Sequence, residues 1–142
     1  MNIPKHVCNY AILRYLPYRE REEFVNVGVL VTCSNPCIWH FYAETKMPER
    51  IKRFFPNQDV GRYEAAFESF YAEMERKKGM AYTPKTIQIA FKETVRIRES
   101  VLRLGEPRTI MTDSPKELVD KLFARYVEMK TPEQEEAQVP SA

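Results

Sequence analysis

Three residues in the first third of the chain have types and spacing that could hold a metal. Cys33, Cys37 and His40 give C-x3-C-x2-H, with Cys8 as a conceivable fourth ligand. Structural zinc needs four such sulfur and nitrogen donors converging tetrahedrally. Side chains alternate along a strand, however, so Cys37 and His40, three positions apart, point to opposite sides of a regular one. The simpler reading makes Cys33 and Cys37 small hydrophobes flanking a hairpin turn. No cofactor is expected.

Catalytic chemistry has few carriers. The histidines are His6 and His40, and no Ser or Cys stands in a nucleophile motif. The four glycines form neither G-x-x-x-x-G-K nor G-x-G-x-x-G. Glu20, Glu22 and Glu23 could hold a metal if folded inward, but such a charge run more often lies on a solvated turn. No catalytic residue is assigned.

Nucleic-acid contact has a possible basis in Arg14, Arg19 and Arg21 beside Tyr10, Tyr15 and Tyr18, since arginine interleaved with aromatics can meet phosphates and stack bases. Against it stand the three glutamates and a net charge of only +2.

A further chemical oddity lies in "EFVNVGVLV", residues 23–31. Val25, Val27, Val29 and Val31 share one strand register, which predicts a core face. The other register carries Phe24, Asn26, Gly28 and Leu30. Glycine inside a strand weakens packing and often marks close approach by another group. A buried Asn needs partners for its amide. Arg14 is expected to pair with Glu23 across the hairpin and to pack over Gly28. This cluster reads either as an internal polar network that fixes register or as a polar pocket for a ligand or a partner's residue.

The elements that must position these residues fall into two groups. Residues 9–16, 23–33 and 37–44 read as strands rich in β-branched and aromatic side chains, with "SNP" at 34–36 as turn chemistry. Helices follow at 47–56, with Pro48 in the first turn, and at 59–79, with Asp59 as N-cap and Gly79 as C′ residue. Residues 86–104 suit a short helix running into a strand near 99–104. Residues 114–129 open on a capping box, Ser114 with Glu117, and Pro115 at the first helical position. Residues 130–142 are polar and Pro-bearing, and are expected to be a disordered tail. The predicted fold is α+β: an antiparallel sheet from a three-strand meander plus one later strand, with helices on one face, in a single domain over residues 1–129.

Composition bounds the rest. At 142 residues, with 44% hydrophobic and 30% charged residues, the chain suits one globular domain. No apolar run is long enough to span a bilayer, and the opening residues lack a signal-peptide pattern. Three cysteines do not suggest a disulfide framework. A cytoplasmic location is expected.

The stretch "YAILRYLPYREREEFVNVGVLV" resembles the opening of the DUF3037 family, small bacterial proteins of unassigned function. Tyr10, Arg14, Pro17, Arg21, Glu23, Phe24, Asn26, Val27, Gly28 and Val29 carry that pattern. A second block follows the family's closing arrangement: Phe91, Arg98, Thr112–Asp113, Pro115, Leu118, Leu122 and Phe123. Glu22 stands where the family usually has Gly, and Ser114 where it usually has Asp. The resemblance spans roughly residues 10–127. Such proteins are often encoded beside a HipA-like kinase-domain protein, which implies a partner or regulatory subunit. The expected function is a non-catalytic interaction or regulatory protein. Tyr10, Arg14, Arg21, Glu23, Asn26, Gly28 and Arg98 are its interaction or polar-pocket candidates. The alternative is a nucleic-acid-associated factor of a defence or mobile-element system, and a metal-dependent enzyme ranks last.

Overall fold

The computed structural model describes residues 5–18, 22–55, 57, 59–96 and 101–130. The predicted tail, from residue 131 on, lies outside these. The N-terminal strands form as expected: β1 (His6–Tyr15), β2 (Val25–Ser34) and β3 (Cys37–Ala43) make an antiparallel meander. The later part adds two strands rather than one. β4 (Leu102–Leu104) and β5 (Arg108–Thr112) both pair antiparallel with the outer edge of β1. The sheet runs β3-β2-β1-β4, with β5 beside β4 along β1. β5 carries no fully buried residue, so its pairing comes from β1 and its own sequence holds little strand signal.

Four helices complete the described chain: α1 (Glu49–Phe54), α2 (Val60–Met80), α3 (Pro84–Val95) and α4 (Leu118–Tyr126). Asp59 caps α2 by accepting from the Arg62 amide at 3.2 Å. Gly79 lies within the last turn of that helix rather than after it, and Ala81 is the C-cap. A reciprocal capping box between Thr83 and Thr86 opens α3, with Pro84 at the first helical position. The box expected at Ser114 does not form. Glu117 donates its amide to the Ser114 carbonyl at 3.1 Å, closing a turn, and α4 begins only at Leu118. No described helix is long and apolar enough to cross a membrane.

The helices lie on both faces of the sheet, not on one. α1, α2 and α3 bury Ile51, Tyr63, Phe67, Met74, Ile87 and Phe91 against Ala11, Leu13 and Tyr15. α4 buries Leu118, Leu122 and Phe123 against Cys8, Tyr10 and Ile12. A strand covered on both sides must be apolar in both registers, and "YAIL" at 10–13 is.

β2 switches register partway along. Leu13 pairs with Gly28 but Arg14 pairs with Asn26, so Val27 is an extra residue opposite no partner, a β-bulge. Its consequence for the four valines is direct: Val29 and Val31 face α4, whereas Val27 joins Leu30 on the α1–α3 side.

Candidate functional site

The bulge at Val27 separates the two residues that the sequence placed together. Gly28 falls on the α1–α3 side with Leu30, and Asn26 turns toward α4. A Cβ at Gly28 would sit 2.5 Å from the Ala43 Cβ and 2.9 Å from the Tyr42 carbonyl oxygen. The missing side chain therefore accommodates the neighbouring strand β3. Asn26 Nδ2 donates to the Tyr126 carbonyl at 3.1 Å, satisfying one of the orphan acceptors at the end of α4. The Tyr126 hydroxyl in turn shares a hydrogen bond with the Tyr10 hydroxyl at 3.3 Å. Burial first, and then the bond to Tyr126, push the Tyr10 hydroxyl up to about 12, against the pull of Arg108 and Arg125. Tyr126 is thus the link between Tyr10 and Asn26. It lies in an ordinary apolar helix stripe, and nothing in its spacing marks it.

Arg14 does not pack over Gly28. Its Cζ lies 4.2 Å from the centroid of the Phe24 ring, a cation–π arrangement. On its other side is Gly105, where a Cβ would come within 2.8 Å of the same carbon. The glycine that admits this arginine is therefore Gly105, at the end of β4. Arg14 Nε and Asn26 Oδ1 are buried without hydrogen-bond partners among the described residues. Glu23 is half-buried and already engaged. Beside it, Glu22 takes φ 53°, in the left-handed region. That conformation favours glycine, and here a glutamate adopts it. Arg21 and Arg98 lie outside the described residues.

A second polar group adjoins the first. Arg50 Nη2 donates to the Asn26 carbonyl at 2.7 Å and pairs with the Glu44 carboxylate. It stands between a 560 Å³ cleft shared with Tyr42, Phe123 and Glu128 and a 240 Å³ cleft shared with Phe24 and Tyr126. Neither Arg50 nor Glu44 had a signal beyond being charged.

The cysteine and histidine candidates do not come together. Cys33 lies opposite Cys8 across β1 and β2 and donates to the Val7 carbonyl at 3.4 Å. Burial, followed by the contact with Cys33, pushes the Cys8 thiol up to about 12. Cys37 is exposed, with Sγ turned to the Ser34 carbonyl at 3.3 Å. His40 lies three residues along β3 from Cys37, opposite Val31 rather than beside the Cys8–Cys33 pair. Among the described residues no three His, Cys, Asp or Glu side chains gather as a metal site.

β3 has β2 on one side and a groove of 310 Å³ along the other. Trp39, His40, Phe41 and Tyr42 form its floor, Glu75 and Lys78 one wall, and Lys116 and Asp120 the other. Trp39 Nε1 and His40 Nδ1 are buried without partners among the described residues, one on each face of the strand. Burial and nearby Lys78 hold the His40 imidazole below its ordinary value. Lys116 adds to this and Asp120 opposes it.

The fold and these sites define an antiparallel α+β protein with helices on both faces and an open strand edge. Residues 10–127 match the DUF3037 family, described as a protein of unknown function, and the chain belongs to that family. No curated protein matches the chain, and no solved structure does.

Proposed function

We propose that this chain is a non-catalytic cytoplasmic interaction protein that accepts an extended segment of a partner protein along the outer edge of β3. The carrying observation is that edge: an unpaired strand over a groove whose two buried nitrogens lack partners. Unpaired strand edges are templates for strand addition, in which main-chain bonds supply affinity and flanking pockets read alternate side chains. The Glu44 amide donates to the Val27 carbonyl at 2.9 Å. By antiparallel alternation Trp39, Phe41 and Ala43 then turn their N–H and C=O groups outward. A HipA-like kinase-domain protein is the partner suggested by the family resemblance.

The test is co-purification with that kinase-domain protein, using the full chain and a Phe41→Pro variant. Proline removes an outward amide and is tolerated on strand edges, but it also takes the Phe41 ring from Phe70. The complex should therefore be lost well below the variant's lowered melting transition, while Phe41→Leu, which keeps the amide, should still bind. A wild-type chain that never co-elutes with the kinase-domain protein overturns the partner assignment. A Phe41→Pro chain that folds and still binds overturns the role of the edge.

A further inference from the structure

The part of the sheet that α4 leaves uncovered is lined with arginine. α4 packs over β2 and β3 and against Cys8, Tyr10 and Ile12 of β1. The flank of the same face formed by the Arg14 end of β1, by β4 and by the exposed Arg108 therefore lies beyond its side. Leu102 and Leu104 point into the α1–α3 core, which turns Arg103 to the opposite face. There it is the direct cross-strand partner of Arg14. Four positions along β1, Arg108 is the partner of Tyr10, and Arg125 of α4 joins Arg108 in acting on the Tyr10 hydroxyl. The strip from the Arg14–Arg103 pair to Arg108 is about 13 Å long.

Two features of the strip call for an anion. Like charges directly opposite in an antiparallel pair are destabilising, and Arg14 and Arg103 are such a pair. Arg103 and Arg125 are already engaged, but Arg14 has no carboxylate partner among the described residues. Its Cζ lies 4.2 Å from the Phe24 ring centroid and close by Gly105, the side chain is half-buried, and Nε has no acceptor among the described residues. No ion pair joins Arg14 or Arg108 to a carboxylate among the described residues. Partly desolvating a cation without a counter-charge is costly. A rigid guanidinium fork matches the oxygens of a phosphate.

We infer that this strip binds a phosphate-type oxyanion, with Arg14 as the fixed fork and Arg108 as a second, solvent-side contact. The inference is independent of the β3 edge, which lies at the far side of the sheet. The same chemistry is presented by free phosphate compounds and by a nucleic-acid backbone.

Isothermal titration of the full chain with inorganic phosphate, at ionic strength matched with chloride, tests the site. A parallel arm uses a single-stranded oligonucleotide. Saturable phosphate binding is expected, weakened about tenfold or more in Arg14→Lys and in Arg108→Gln, the loss of one charge-assisted contact. Lys52→Gln, on exposed α1, should bind as the wild type does. Arg108 is exposed, so its variant stays informative even if Arg14→Lys folds poorly. An oligonucleotide that binds at least tenfold more tightly than phosphate, with the same two variants weakened, assigns the source to nucleic acid. Binding of phosphate alone assigns it to free phosphate compounds. No saturable binding of either, or equal binding by wild type and both variants, overturns the site.

Discussion

The two faces of the sheet are built on different terms. Toward α1–α3 the contacts are aromatic and interlocked: Tyr15 meets Tyr63 edge-on at 5.1 Å between centroids and Phe55 at 6.3 Å, while Phe41 meets Phe70 at 5.6 Å. There the Tyr63 hydroxyl donates to the Glu44 carbonyl at 2.9 Å, and Trp39 Nε1 is the single buried side-chain polar atom without a partner on that face among the described residues. Toward α4 a single short helix covers half of the sheet, and Arg14 Nε, Asn26 Oδ1 and His40 Nδ1 are buried with none among the described residues. Dispersion and area burial hold the first face. The second gives up some of that for polar groups that point outward or at one another. The lesson is that the candidate chemistry collects where packing is least complete, because only there is room left for a partner or an ion.

Deleting a ring from the closed face should have the largest effect. Tyr63 is fully buried, and Tyr63→Ala should cost about 3–5 kcal/mol, read as a lowered midpoint in urea with phosphate and partner binding retained below the transition. A cost under about 1 kcal/mol would dissolve the contrast between the faces. The open face should respond more mildly. Asn26→Ala removes the bond to Tyr126 and with it an unpaired buried oxygen, so the expected loss is about 1 kcal/mol. If that variant keeps its melting temperature and loses a ligand or partner, Asn26 belongs to a binding site; if it only melts earlier, the residue is an anchor for α4.

The smallest effect is a pH dependence at the edge of the open face. The folded chain holds His40 below its ordinary imidazole value of 6.5, so the unfolded chain takes the proton more readily. Stability is therefore full above the ordinary value and declines as pH falls through it toward the lower folded one. His40→Gln should flatten this part of the profile, measured as the change in urea midpoint between about pH 7.5 and about pH 5.5. An unchanged slope would place the imidazole in water rather than among Lys78, Lys116 and Asp120.

Much of this was legible in the residues. The meander, the α+β class and the N-cap of α2 followed from alternation and from Asp59. The family resemblance rested on residues that the structure gathers at one end of the sheet: Tyr10, Arg14, Phe24 and Asn26. What stayed hidden was non-local. The bulge at Val27 has no signature beyond a nearby glycine, yet it alone decides that Asn26 and Gly28 part company. Gly105 reads as a loop glycine until Arg14 is seen against it. The second helical face was visible in hindsight in the doubly apolar "YAIL", but alternation in β2 suggested one dry side. Arg50 and Tyr126 look like surface and core residues of ordinary helices, and only their contacts make them hubs.

The pairing of β1 has a consequence for the order in which the protein is made. Its inner edge is closed by β2, the next strand to be synthesised, but its outer edge waits for β4 and β5: Leu13 for Leu104, Tyr10 for Arg108. While α1–α3 are being translated, the outer edge of β1, which the finished protein closes, stays open beside that of β3. Contacts so distant in sequence form late, and such edges invite pairing with other chains. Truncation before β4 should therefore yield aggregates, whereas truncation after Lys130, which keeps the buried Val127, should not.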